Sequence, residues 1–108
     1  MKVSKLSDYT RGWVIGDFEP SILRTKDFEV AVLTHKQGEQ WPAHYHKEGV
    51  EYNILISGKM VIQGTELNAG DVFVLDRYEV ADPVFLEDCK VVCVKTPSIP
   101  SDKFEVTK

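Results

Sequence analysis

"GEQWPAHYHKEGVEYNILISG", residues 38–58, decides how this chain is read. It opens and closes on glycine, carries two of the three histidines two positions apart, and then runs into an apolar stretch. Side chains at i and i+2 of an extended strand share a face, so His44 and His46 project together and Tyr45 points away. Residues 47–50, "KEGV", read as a turn with Gly49 as its hinge. Glu51 then begins the next strand and points back toward the imidazoles. Two neutral imidazoles and a carboxylate from adjacent strands form a three-ligand set that suits Fe(II), Mn, Zn, Ni or Cu, with positions left for water or substrate. Without a metal the two histidines need other partners, because a buried imidazole lacking hydrogen bonds is costly.

Outward from this stretch the pattern repeats. "DFEVAVLTHK" (27–36), "KMVIQG" (59–64), "TELNAGD" (65–71), "DVFVLD" (71–76), "DPVFLED" (82–88) and "CKVVCVK" (89–95) are short runs rich in Val, Ile, Leu and Phe, punctuated by Gly, Asp, Asn or Pro. Strands of this length, with turn residues between them, predict an all-β sandwich or barrel. No segment sustains a 3.6-residue apolar period, so little helix is expected.

With 108 residues the chain is expected to form one domain. Residues 27–95 supply the barrel core. Residues 1–26 form an N-terminal arm with edge strands, in which Trp13 and Phe18 anchor onto the barrel or onto a second subunit. Residues 96–108, with Pro97 and Pro100, run as an extended tail. The net charge of −4 argues against a nucleic-acid partner, since phosphate binding wants a basic face. No apolar run approaches the ~20 residues of a membrane helix, and the N-terminus lacks the apolar core of a secretory signal. A soluble, cytoplasmic protein without membrane partners is expected. Cys89 and Cys93 fall on one face of a strand about 13 Å apart, too far to bridge each other, and read as two small buried thiols.

Gly38, His44, His46, Glu51 and Gly58, at the spacing G-x5-H-x-H-x4-E-x6-G, match the first signature motif of the cupin superfamily at every position, and the segment 68–88 resembles the second. The resemblance implies a double-stranded β-helix, the jelly-roll barrel of RmlC-like cupins, often dimeric and with a metal in a pocket at the barrel mouth. By that resemblance His44, His46 and Glu51 are the metal ligands, and a divalent ion (Fe, Mn, Zn or Ni) is the expected cofactor. The second motif departs from the family. Asp76, Tyr78 and Ala81 stand where a proline, a glycine and a histidine are usual, so the usual fourth ligand is missing and metal occupancy is expected to be partial. Glu79 and Asp82 flank the gap, and a bulge is required for either to substitute.

His35 reads as a packing or surface histidine, and Trp41 and Tyr52 as aromatics that line the pocket or pack beneath it, core packing being the more common fate. Three function classes stay open: a metal-dependent enzyme on a small oxygenated or carbohydrate-like compound, a metal-independent sugar-nucleotide isomerase or epimerase with histidine acid–base groups, and a small-ligand binding module without turnover. Against the second, Arg11, Arg24 and Arg77 are the only arginines and lie far apart in sequence. A homodimer is expected, because open sheet edges invite a second copy.

Overall fold

Alternation of apolar and polar residues, broken by turn residues, yields the strands. The structure, a computed structural model, describes residues 1–106; residues 107 and 108 of the expected tail lie outside the described residues. After two single turns of 3-10 helix at Leu6–Asp8 and Thr10–Gly12 come β1 (Trp13–Gly16), β2 (Leu23–Arg24), β3 (Glu29–His35), β4 (His44–Tyr45), β5 (Val50–Ser57) and β6 (Lys59–Ile62). They are followed by β7 (Thr65–Asn68), β8 (Val72–Leu75), β9 (Val84–Phe85), β10 (Cys89–Thr96) and β11 (Phe104–Glu105).

One layer is a six-stranded sheet in the order β2-β1-β3-β10-β5-β8. The other combines the three-stranded β7-β6-β9 with the pair β11-β4, extended by bridges from Gln40 to Val84 and from His44 to Ala81. Between the layers lies the core: Leu55, Leu75, Cys89 and Val91 from the large sheet meet Met60, Ile62, Phe85 and Ala81 from the other side. The fold is a jelly-roll double-stranded β-helix. No helix of the described residues is long and apolar enough to cross a membrane.

The N-terminal segment packs on its own barrel. β1 runs antiparallel to β3, and Phe18 folds over Gly16 so closely that a Cβ there would lie 2.2 Å from the ring. Tyr52 corrects its expected place in the core. On β5 the inward positions are Glu51, Asn53 and Leu55, so strand alternation turns Tyr52 outward, where it is 49% exposed. Cys89 and Cys93 are both buried and unpaired, as strand spacing requires.

Gly58 joins β5 to β6 at φ +91°, a conformation that costs a residue with a Cβ, and a Cβ there would lie 2.3 Å from the Asp88 carbonyl oxygen. Gly58→Ala is therefore expected to destabilise the fold by about 2–3 kcal/mol, read as a lowered urea midpoint with unchanged slope.

Candidate functional site

β4 and β5 belong to different layers, and the short loop between them carries the chain across. His44 is fixed at its backbone by two hydrogen bonds: its N–H donates to the Ala81 carbonyl at 3.1 Å, and Ala81 N–H donates back at 2.7 Å. Its ring Nδ1 lies 3.1 Å from the Pro42 carbonyl, which can only accept. The tautomer that donates from Nδ1 fits this contact and leaves Nε2 as the ring's other ligating atom. Tyr45 turns the other way and stacks between Tyr78 and Phe104. His46 follows with its ring edge-on to His44, centroids 5.5 Å apart. From the facing strand Glu51 reaches His46, Oε2 to Nδ1 at 3.2 Å. One donor atom each from His44, His46 and Glu51 lies within 4.8 Å of the others. Nitrogen and carboxylate donors this close suit a divalent transition metal.

The loop is held by a residue that no local sequence pattern singles out. Asp102, a buried residue of the tail, accepts from the backbone N–H of Lys47 (2.9 Å), Glu48 (3.1 Å) and Gly49 (2.8 Å). Burial pushes its carboxyl up, but these three donors outweigh burial and hold it below its ordinary value. Gly49 differs from its expected role as a hinge. It is needed for closeness, because a Cβ there would sit 3.1 Å from the Lys95 side chain and 3.4 Å from Asp102.

Behind the triad the barrel wall carries polar groups on its inward face. Lys95 Nζ pairs with Glu29 Oε1 at 3.0 Å, and Ser98 Oγ donates to Glu29 Oε2 at 3.0 Å. Cys93 S–H donates to Glu51 Oε1 at 3.6 Å; burial, then the Glu51 charge, pushes its thiol far up, so it stays protonated. Burial pushes the His46 imidazolium down and Lys95 and His44 add to this, against Glu51 and Asp102, so His46 is the neutral ring a metal requires. Asn53 is 3% exposed, and among the described residues its Nδ2 has no hydrogen-bond partner.

His35 stands apart from the triad. Its ring stacks on Phe85 at 4.2 Å and its Nδ1 meets Glu39, which also accepts from Trp41 Nε1 at 2.7 Å. Trp41 packs against the core and lines the cavity. Glu79 and Asp82 do not replace a ligand: each accepts a backbone hydrogen bond outside the cavity, from Asp76 and from Gln63. Ala81 does face it, bridged directly to His44.

These groups surround a cavity of about 980 Å³, at the upper end of small-molecule pockets. Similar solved structures share this frame. A double-stranded β-helix protein from Klebsiella pneumoniae superposes with a TM-score of 0.72 at 22% identity, over 99% of this chain and 93% of that one. An RmlC-like cupin from Desulfovibrio desulfuricans gives 0.60 at 25% identity, over 69% and 76%. The chain is a cupin by fold. KdgF from Halomonas sp. gives 0.63 at 22% identity, over 70% and 74%. No family model matches the sequence, and no curated protein matches it.

Asp102→Ala leaves three N–H groups of the loop without an acceptor and is expected to cost about 3 kcal/mol at neutral pH. The pH dependence has a definite sign. A carboxyl held low in the folded state stabilises above its unfolded pKa, and that contribution fades as pH falls through the lower folded value. Urea unfolding of wild type and Asp102→Asn should therefore differ most at pH above about 5 and converge in strong acid. A gap that is constant with pH counts against the role given to the carboxylate.

Proposed function

We propose that His44, His46 and Glu51 hold a divalent transition-metal ion at the barrel mouth, and that the chain binds a small oxygen-bearing molecule beside it and acts on it there. The observation that carries this reading is the convergence of three donors within 4.8 Å, with His44 Nε2 left free by the Pro42 contact. A bound metal supplies Lewis acidity toward a carbonyl or enolate oxygen, or a site for dioxygen. The chain's own residues do the rest. Cys93 orients Glu51, burial keeps His46 neutral, and Ala81 leaves beside His44 the space that a fourth side chain would fill. The net charge of −4 supports a small molecule over a nucleic acid as the ligand.

The test is metal analysis of tag-free protein. Wild type is expected to retain Fe, Mn, Zn or Ni, and His44→Ala/His46→Ala to retain none while keeping its far-ultraviolet spectrum. Ala81→His, across the bridge from His44, should resist chelation roughly 10-fold better. Equal trace metal in wild type and the double variant would rule out the ligand assignment. A second reading, acid–base chemistry without metal, draws on the 3.2 Å contact between His46 and Glu51. Activity that survives exhaustive chelation but is lost in His46→Ala would favour it.

We also propose a homodimer, formed through the outer face of the large sheet instead of the N-terminal arm. There Tyr52, Ile54, Val72 and Val74 lie side by side in register, next to Val92 and Val94. Val72 is 69% exposed, and Tyr52, Ile54, Ile56 and Val74 each leave two fifths or more of their surface exposed on the same face, an apolar patch of the kind that marks an interaction surface. Ile54→Lys/Val72→Lys should sediment as a monomer with metal content unchanged. A variant that sediments like the wild type would sink the proposed face.

A further inference from the structure

Three cations line the cavity of a chain whose net charge is −4. Lys95 is neutralised by Glu29. Arg11 and Lys103 are different: among the described residues neither makes an ion pair. Both lie against one indole instead, Arg11 Cζ 5.9 Å and Lys103 Nζ 4.9 Å from the Trp41 ring centroid. Trp41 is itself tethered by its bond to Glu39. Burial and then the Arg11 charge push Lys103 below its ordinary value, against the opposing charges of Glu105 and Glu51.

The backbone enforces this meeting. Arg11 adopts φ +49°, a left-handed conformation uncommon for a side chain of its size. The next residue, Gly12, is pressed so tightly to β3 that a Cβ there would lie 2.0 Å from the Val32 carbonyl oxygen. Both cations are solvent-exposed at one end of a cavity whose lining also includes Glu19, Glu29, Glu39 and Glu51, and an anion entering between them gains two charged donors that no side chain already occupies. Deeper in the same cavity Asn53 presents an unsatisfied amide donor, which favours an acceptor oxygen over an apolar group. Between mouth and floor the walls are apolar, formed by Leu33, Met60, Phe73 and Val91.

We infer that the pocket takes a small organic acid, with its carboxylate between Arg11 and Lys103, an apolar body along the barrel wall and a further oxygen accepting from Asn53. This deepens the proposed metal-site function and rests on it for the reacting end of the ligand. The cationic pair shares no residue with the triad, so the two readings fail separately. One isolated guanidinium and one ammonium suit a single carboxylate better than a diphosphate, which needs a larger donor array.

The experiment is calorimetric titration of metal-loaded protein with matched acid–amide pairs: phenylpyruvate with phenylpyruvamide, and 2-oxobutyrate with 2-oxobutyramide. Inorganic phosphate serves as a plain-anion control. Wild type should bind at least one acid about 10-fold more tightly than its amide. In Arg11→Gln/Lys103→Gln that preference should fall below about 3-fold with metal content unchanged, and Arg11→Lys should recover part of it. Asn53→Leu should weaken acid and amide alike. The inference is overturned if wild type binds acid and amide equally, if it binds no acid up to about 10 mM, if phosphate displaces the acids, or if the double variant keeps the preference. Wild type found without metal would sink the metal reading instead, and the acid–amide comparison is then read on the same metal-free protein.

Discussion

Three backbone N–H groups converging on one buried carboxylate hold the site together. Without Asp102 the loop over residues 47–49 would expose or strand its donors, leaving the step from β4 to β5 held by the Tyr78 N–H on the His46 carbonyl at 2.7 Å. That step sets the geometry of the site. His44 and His46 stand on the smaller layer and Glu51 on the larger, so their spacing is set by how the chain crosses between layers. The jelly roll supplies two walls; the Asp102 clamp sets the distance between them at the mouth. Gly49 is part of the same constraint, since a Cβ there would press on the Lys95 side chain at 3.1 Å and on Asp102 at 3.4 Å.

A barrel of this size would be most stable with an entirely apolar interior, and this one is not built so. Along β10 the inward positions read Cys89, Val91, Cys93 and Lys95, and along β5 Glu51, Asn53 and Leu55. The lower half of each series belongs to the core and the upper half to the pocket. Burying Lys95 and Glu29 is tolerable because they are paired at 3.0 Å and Ser98 satisfies the second carboxylate oxygen. Asn53 has no such compensation inside the chain. The contrast sets a buried pair whose polar atoms are satisfied within the chain against a buried amide, a few residues away, whose Nδ2 is not.

What the sequence discloses follows from the range of each interaction. Strand positions were legible because alternation is local, and the spacing from Gly38 to Gly58 carried both the fold and the triad. Lys95 and Asn53 were also within reach: Lys95 occupies an inward phase after Cys89, Val91 and Cys93, and Asn53 one between Glu51 and Leu55. Asp102, Arg11 and Lys103 were not. They act across the whole chain, Asp102 on backbone groups 53 to 55 positions earlier, and no local pattern marks the residue on which a tail will land. Tyr52 was misjudged by composition where parity would have decided it, since Glu51 and Leu55 point inward and leave Tyr52 no choice of face.

The tail deserves to be seen as part of the site because adjacent residues do opposite work. Asp102 points inward to the loop, while Lys103 reaches the Trp41 ring at the mouth. Immediately after them β11 pairs with β4, Phe104 opposite Tyr45 and Glu105 opposite His44, and Val106 N–H donates to the Ala43 carbonyl. The strand that presents the histidines thus shares its backbone bonds with the segment that presents the mouth cation. A shift of the tail by one residue would reverse the faces of Asp102 and Lys103, removing the clamp and the cation together. The spacing of the triad and the charge at the entrance are therefore set by a single strand register.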